Sequence, residues 1–423
     1  RRVYVRKITI TGNSRTRDEV IRREFRQMEA SWYDGQKVRL SRDRVDRLGY
    51  FTSVTMDPKE VAGTSDQVDL VMAVEEKPTG ALQLGAGFSS VEKIVLSLSL
   101  SQDNFLGSGN YMGLQINTSR FNQAYVLDTV DPYFTKDGVS RHYSLFHRMS
   151  KPYSVVNQGS YALITDGVGI KFGVPVAETD RVFLGLNAEM TEIQSGDYMP
   201  QSYNDYINEF GSKTRSVPFT VGWSRDRRDS ALAPSKGYYT RLNSDIATMG
   251  NIKYSRTLVQ YQFFSPLSPK LTFGVNTELG YGKSLSGNSY PIFKNFYSGG
   301  LGSVRGYSQG TIGPSTTAVN AVTGVTNTVA VGGSKMALVN MELITPMPGS
   351  GQDKSLRLFA FFDAGAAFTD AQTINLDDLR YSTGVGLSWI SPIGPMKFGW
   401  AHPFHYKTSD KIDRIQFQIG TAF

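Results

Sequence analysis

The stretch Leu96-Ser97-Leu98-Ser99-Leu100-Ser101 alternates apolar and polar side chains with a period of two. Near the end of the chain, Ile415-Gln416-Phe417-Gln418-Ile419 repeats the pattern. Successive side chains of a β-strand point to opposite faces of its sheet, so each stretch predicts a strand with one apolar and one polar face. About sixteen such segments follow Thr79, and we predict no helix among them.

The connections between these segments alternate in length. Short ones carry Pro or Gly, as at 266–270, whereas long polar ones cover 194–216, 284–334 and 369–379. Short turns on one rim and long loops on the other are typical of a barrel with lipid outside and water inside. We therefore predict a transmembrane antiparallel β-barrel of about 16 strands over 78–423, although a β-sandwich shows the same alternation.

Charge is concentrated at the start of the 423-residue chain. Residues 1–77 contain 16 Lys or Arg and 13 Asp or Glu, so about 38% are charged, against about 16% of residues 78–423. The change falls at Glu75-Glu76-Lys77-Pro78-Thr79-Gly80, which predicts a linker after a small soluble domain. The chain has no Cys, which excludes a disulfide framework and thiolate metal sites. It begins at Arg1 without an apolar signal region, so we expect a processed or trimmed piece.

The first 77 residues predict a small α/β domain with the order β-α-α-β-β. Val5 to Ile10, Phe51 to Met56 and Val68 to Val74 alternate as strands. Thr16-Arg17-Asp18-Glu19 fits a capping box at the start of the first helix. Ser41 is the predicted cap of the second helix.

This unit resembles a POTRA domain, the periplasmic module of the BamA family of outer-membrane assembly factors. Val304-Arg305-Gly306-Tyr307 matches the VRG(F/Y) motif of that family, and Phe361-Phe362-Asp363-Ala364-Gly365 matches its FxDxG-like strand motif. The resemblance covers essentially the whole chain. It implies a place in the outer membrane of a Gram-negative bacterium, with the POTRA domain, one of several in the family, in the periplasm.

Arg305 is the first candidate site residue. A buried guanidinium keeps its charge and needs carboxylate partners, and strand alternation places Glu342 and Asp363 on lumen faces. The pattern alone leaves open a solvated loop arginine and two unrelated acids. The resemblance implies that the loop near 285–334 folds into the barrel and that Arg305 pairs with Asp363 and Glu342.

The second candidate site is a weak seam between the first and last strands, over about 80–88 and 415–423. Glycine weakens strands and permits kinks, although many barrels contain strand glycines. The resemblance implies that this seam is a lateral gate and that the aromatic last strand thins the nearby bilayer. The residues assigned to the seam are Gly80, Gly85, Gly87, Gly420 and Phe423.

Enzyme signatures are weak in this sequence. Gly306 to Gly310 matches G-x-S-x-G, but that motif needs a strand, a sharp turn and a helix, and no helix is predicted here. His402 and His405 are three residues apart, which places them on opposite faces of an extended segment. We therefore predict no enzymatic activity, no metal and no cofactor.

The resemblance implies a function in the assembly and insertion of β-barrel proteins into the outer membrane without a nucleotide, with delivery by the POTRA domain. The implied partners are unfolded outer-membrane β-barrel substrates, accessory lipoproteins and outer-membrane lipids. The basic start of the chain is compatible with nucleic-acid binding by charge alone, but that partner does not fit an outer-membrane setting. Two other functions stay open, a POTRA-barrel translocase that exports a polypeptide and a passive porin.

Overall fold

The computed structural model describes residues 3–135, 137–151, 161–177, 179–231, 233–349, 355–391, 394–407 and 410–420. The small N-terminal domain consists of β1 (Tyr4–Thr11), α1 (Asp18–Arg22), α2 (Gly35–Asp46), β2 (Phe51–Glu60) and β3 (Gln67–Glu76). β3 lies at the centre of the sheet, parallel to β1 and antiparallel to β2. Alternate residues of the strands and one face of each helix form its core. The predicted β-α-α-β-β order is confirmed.

Both predicted helix caps in this domain were wrong. α1 begins after Arg17 without a side-chain cap, because the Thr16 hydroxyl accepts a hydrogen bond from Asn104 Nδ2 (2.8 Å) instead. α2 begins after Asp34, whose carboxylate accepts hydrogen bonds from two N–H groups of the first turn. Ser41 therefore lies inside α2, where its buried hydroxyl donates to the carbonyl one turn back.

The rest of the chain is built mainly from strands. In chain order they are β4 (Gly80–Ser89), β5 (Lys93–Gln102), β6 (Tyr111–Thr118), β7 (Asn122–Asp131), β8 (Ser140–Ser150), β9 (Ala162–Pro175), β10 (Asp180–Gln194), β11 (Tyr198–Pro200), β12 (Lys213–Asp226), β13 (Gly237–Gly250), β14 (Tyr254–Ser268), β15 (Leu271–Ser284), β16 (Gly306–Tyr307), β17 (Ser315–Asn320), β18 (Thr326–Ala330), β19 (Lys335–Pro346), β20 (Leu356–Phe368), β21 (Arg380–Ser391), β22 (Gly394–Phe404), β23 (Ile412–Asp413) and β24 (Ile415–Ile419).

Sixteen of these strands form one closed barrel, in which each strand pairs with the next barrel strand along the chain and β24 returns to β4. The strands left out of the wall are β11, β16, β17, β18 and β23. Large apolar side chains such as Leu84, Ile94 and Val385 are exposed on the outer face, as expected of a wall that faces lipid. The predicted antiparallel barrel of about 16 strands is confirmed.

One helix in the barrel region was missed. α3 (Gln201–Phe210) follows β11 in the connection 194–216, which the sequence analysis treated as a polar loop. Tyr203 and Tyr206 lie one turn apart on its buried face and pack into a cluster with Ala318 of β17 and Val329 of β18. The helix is only ten residues long, so its period is hard to detect beside the stronger strand alternation.

Among the described residues, no helix has the length and apolar character needed to cross a membrane. The chain divides into two compact units. The first consists of Arg1–Gln83, Ser99–Leu114 and Leu127–Tyr143. The second consists of Leu84–Leu98, Gln115–Val126 and Ser144–Phe423. The first unit holds the small domain and the turn between β5 and β6. The second holds the long loop between β15 and β19, β24, and β4 from Leu84 onward.

Candidate functional site

The loop between β15 and β19 turns sharply before it reaches Arg305. Gly299 and Gly300 have φ of +104° and +107°, which side chains with a Cβ rarely adopt. The carbonyl of Val304 accepts a hydrogen bond from Gly300 N (3.0 Å), which closes the turn. This local geometry places Arg305 against β19 and β20.

Arg305 lies between two carboxylates and is only 2% exposed. Its Nε and Nη2 donate to the two carboxylate oxygens of Asp363 at 2.7 and 2.6 Å, and its backbone N donates to the same carboxylate at 3.0 Å. Its Nη1 donates to Glu342 Oε1 at 2.5 Å. Asp363 is fully buried, so this charge is compensated inside the protein rather than by water. The structure thus brings the three charged residues of the candidate site together.

Two neighbours that the sequence analysis did not assign complete this cluster. The guanidinium carbon of Arg305 lies 3.7 Å from the centre of the Phe361 ring, a cation–π contact. Asn340 donates to Asp363 Oδ1 (2.9 Å) and to the carbonyl of Ser303 (2.8 Å). The strand period could have indicated Asn340, since it lies two residues before Glu342 on the same face.

The other residues of the Val304-Arg305-Gly306-Tyr307 motif are buried as well. Val304 packs in an apolar cluster with Leu338 and Ala364. The Tyr307 hydroxyl lies within hydrogen-bond distance of the carbonyls of Tyr381 (3.1 Å) and Phe404 (3.2 Å). The loop is therefore held against β19–β22 by apolar packing, by charge and by hydrogen bonds.

The seam between β24 and β4 is short. Among the described residues, its ladder consists of Gln418 opposite Ser89 and Ile419 opposite Phe88, whereas the ladder between β14 and β15 runs over nearly their whole length. Gly420, the last described residue, has a φ of +81°, which departs from the strand conformation.

The structure brings some of the assigned seam glycines together and separates others. A Cβ on Gly420 would lie 3.1 Å from the Cα of Gly87, so these two backbones approach closely. Gly85 and Gly80 instead face side chains of β5, Ser97 and Gln102 respectively. Phe423 lies outside the described residues.

A polar cluster joins the small domain to the turn between β5 and β6. The Glu76 carboxylate accepts hydrogen bonds from the backbone N–H groups of Ser14, Arg15 and Thr16 at 2.6 to 3.1 Å. Burial would raise the pKa of the Glu76 carboxyl, but these bonds outweigh it and lower the pKa to about 2. Asn104, in the turn, then donates to the Thr16 hydroxyl. The sequence analysis missed this contact because its partners lie far apart in the chain.

In the part of the chain that the structure describes, no three His, Cys, Asp or Glu side chains are grouped so that they could hold a metal ion. The described geometry consists of a loop held against β19–β22 by Arg305 and Tyr307, and a short described ladder between β24 and β4. A POTRA-like domain followed by a 16-stranded barrel with these features defines the class of POTRA-barrel membrane proteins.

Comparison with protein families gives two matches. Residues 104–423 match the Omp85 superfamily domain, and residues 3–77 match the POTRA model, described as a surface antigen variable number repeat. The chain belongs to the Omp85 superfamily. It is an outer-membrane protein with its POTRA domain in the periplasm.

Comparison with curated proteins shows which members of the superfamily are similar to this chain. The chain is 39% identical to the outer membrane protein assembly factor BamA of Neisseria meningitidis serogroup B, over 100% of this chain and 57% of that protein. It is 28% identical to BamA of Nitratidesulfovibrio vulgaris, over 100% of this chain and 52% of that protein. The chain therefore spans about half the length of the curated relatives it matches.

Solved structures agree with this assignment. The crystal structure of BamA from Haemophilus ducreyi lacking POTRA domains 1–3 is similar to this chain with a TM-score of 0.90 and 28% identity, over 99% of this chain and 84% of that one. CdiB from Acinetobacter baumannii shares only the fold, with a TM-score of 0.58 and 12% identity, over 99% of this chain and 74% of that one. The resemblance to BamA stated from the sequence is confirmed.

Proposed function

We propose that this protein assembles and inserts β-barrel proteins into the outer membrane, and that the seam between β4 and β24 is the lateral gate at which it acts. The observation that carries the proposal is the described ladder of two residue pairs between these strands, since every other barrel ladder described has five pairs or more. An unfolded barrel protein has unpaired strand edges, which are costly in hydrocarbon. A seam that parts easily offers such a strand a backbone edge by β-augmentation.

The clamped loop supports the same function. Arg305, Asp363 and Glu342 keep the loop on the inner wall, so the wall stays rigid while its seam stays weak. The energy for insertion comes from the folding of the substrate, and the protein acts without nucleotide, metal or covalent chemistry. Its role is therefore that of a template rather than an enzyme.

The proposed partners follow from this role. Unfolded barrel proteins are the substrates, the POTRA domain over 1–77 delivers them, and accessory lipoproteins complete the assembly complex. The barrel over 78–423 contacts outer-membrane lipids directly, and the last strand thins the bilayer beside the seam. Relatives named as outer-membrane assembly factors support these partners.

A POTRA-barrel translocase is the alternative function. The likeness to CdiB concerns the fold alone, and export through the lumen requires that the loop leave the inner wall. Arg305 and Tyr307 are buried there, which favours insertion over both translocation and passive diffusion.

The experiment locks the seam with a disulfide in the full-length protein. Phe88 and Ile419 lie opposite each other, so Phe88→Cys with Ile419→Cys places two cysteines within disulfide range. The protein is reconstituted in liposomes, and folding of an added, urea-unfolded barrel protein is followed over time. We expect clear acceleration by the reduced form, loss of it after oxidation and recovery after reduction.

A matched lock in a long ladder is the control. Val259 and Leu279 lie opposite each other on β14 and β15, so Val259→Cys with Leu279→Cys forms a disulfide away from the seam. Oxidation of this control should leave the acceleration intact. Equal rates with the seam open and locked would contradict the proposal, and steady ion conductance without acceleration would favour the translocase or the porin.

A further inference from the structure

The side chain of Gln416 connects the last barrel strand to the buried loop. Gln416 is the second residue of β24 and is 2% exposed. Its Nε2 donates to the carbonyl of Tyr307 (2.7 Å), and its Oε1 accepts from the N–H of Gly306 (3.3 Å). One amide therefore satisfies two backbone groups at the centre of the loop motif.

The backbone just before β24 is joined to the same loop. β16 (Gly306–Tyr307) pairs antiparallel with β23 (Ile412–Asp413), and Ser308 N donates to the carbonyl of Lys411 (2.8 Å). Gly306 has φ of +88°, and a Cβ there would lie 2.8 Å from the Cβ of Ala401 on β22. The loop is thus packed as an extra strand against the segment that leads into the seam.

The seam begins immediately after this contact. The carbonyl of Phe417 accepts a hydrogen bond from Ser90 N (3.0 Å), and Gln418 and Ile419 form the ladder with β4. Because β24 has only five residues, the position of Gln416 largely determines where the two seam residues lie. Gln416 is therefore the buried side chain of β24 that bonds to the loop, one residue before the seam contacts begin.

We propose that Gln416 couples the loop to the seam, so that a seated loop holds β24 in register with β4 and a displaced loop loosens the gate. The inference rests on the proposed role of the seam. Loss of the amide removes the Nε2 donor from the buried Tyr307 carbonyl and an acceptor from the Gly306 N–H, which favours release of the loop from β24. Gln416 is a positioning residue in this account, because it acts through the backbone that it holds.

The test measures seam pairing without any substrate. Full-length protein with Phe88→Cys and Ile419→Cys is oxidised in isolated outer membranes, and the initial rate of disulfide formation reports how often the two residues are in register. We expect Gln416→Leu to lower this rate about fivefold or more, because a side chain of similar size fills the space but cannot form the two hydrogen bonds. Since no substrate is present, this result is independent of the insertion assay.

Gln260→Leu is the matched control. Gln260 is the same residue type on β14, and its described side-chain hydrogen bonds go to Asn276 and Glu278 on β15 rather than to the loop or the seam. Its rate should stay within about twofold of the parent. Equal rates in both variants and the parent would overturn the coupling, as would an equal fall in both. If Gln416→Leu does not reach the membrane, Gln416→Glu keeps the shape but loses the donor, and a parental rate there would also overturn it.

Discussion

Asp363 and Glu342 both bind Arg305, but their surroundings differ. Asp363 is fully buried and accepts several hydrogen bonds, whereas the side chain of Glu342 is 22% exposed. Removing one partner of a buried ion pair costs about 3–5 kcal/mol, because the other charge stays behind uncompensated. We expect Asp363→Asn to lower barrel stability by about this amount and Glu342→Gln to lower it less.

Heat-induced unfolding of the full-length protein in detergent, followed by gel mobility, measures this difference. Lys397→Ala is a suitable control, because Lys397 lies 3.7 Å from Glu342 and its side chain is 39% exposed. Equal losses for Asp363→Asn and Glu342→Gln would show that burial does not rank the two carboxylates.

Glu76 makes a pH-dependent contribution to the stability of the POTRA domain. Its pKa of about 2 in the folded protein lies below its ordinary value of 4.5. The ionised Glu76 carboxylate therefore stabilises the folded domain. This contribution to the free energy of unfolding is complete above pH 4.5 and is lost as the pH falls from 4.5 toward 2. We expect Glu76→Gln to destabilise the domain by about 1–3 kcal/mol at pH 7 and by progressively less below pH 4.5.

Thermal unfolding of the parent and of Glu76→Gln between pH 7 and pH 3 measures how the difference in their stability shrinks as the pH falls. Glu75→Gln removes the same charge from the neighbouring exposed position and should change stability little. A difference between Glu76→Gln and the parent that stays constant down to pH 3 would contradict the assignment.

At the scale of single elements, the turn between β5 and β6 holds the loop before α1. Asn104 has φ of +54°, donates to the Thr16 hydroxyl and accepts from Gly109 N (2.8 Å). Arg17 N donates to the carbonyl of Gly107 at 3.0 Å. We expect Asn104→Asp, which keeps the acceptor and loses the donor, to loosen the loop and raise the rate of trypsin cleavage after Arg17 severalfold.

Limited proteolysis with mapping of the first cleavage site measures this effect. Ser108→Ala is the control, because the Ser108 hydroxyl donates to the carbonyl of Phe105 within the same turn. Unchanged cleavage in Asn104→Asp would mean that the Asn104 side chain does not hold the loop.

The strands of the barrel were predictable because period-two alternation is a local property of the sequence. The details that were wrong depend on distant contacts. Thr16 is engaged by Asn104 and so does not cap α1, and Asp34 takes the capping role that was assigned to Ser41 within α2. The missed helix α3 is stabilised by buried Tyr203 and Tyr206 within a loop cluster, which no local pattern reveals.

Part of the candidate site was likewise predictable from local alternation, and part of it was not. Strand alternation indicated which faces carry Glu342 and Asp363, but the position of Arg305 came from the family resemblance. Gln416 was visible only as a polar residue on the lumen face of a strand. Its contact with Gly306 joins residues 110 positions apart, and no periodicity in the sequence encodes such a pair.

At the scale of the whole molecule, the clamped loop should limit the flow of ions through the barrel. Arg305→Ala removes the charged contacts that hold the loop on β19 and β20, so we expect a larger single-channel conductance in planar bilayers. Arg181→Ala, at an exposed position on β10, is the control and should leave the conductance unchanged. A folded Arg305→Ala protein with the parental conductance would contradict this role of the loop.

The described ladder between β24 and β4 also has a kinetic consequence. It joins the first and last strands of the barrel, so it closes the longest loop in the chain. Contacts between distant residues form late, because the entropy of loop closure must be overcome before they contribute. Hairpins between neighbouring strands form first. The contact between Arg305 and Asp363, which are 58 residues apart, forms later, and the seam forms last. Each new copy therefore passes through a slow final stage with the edges of β4 and β24 bare, when it is most prone to aggregate and most in need of an existing assembly factor.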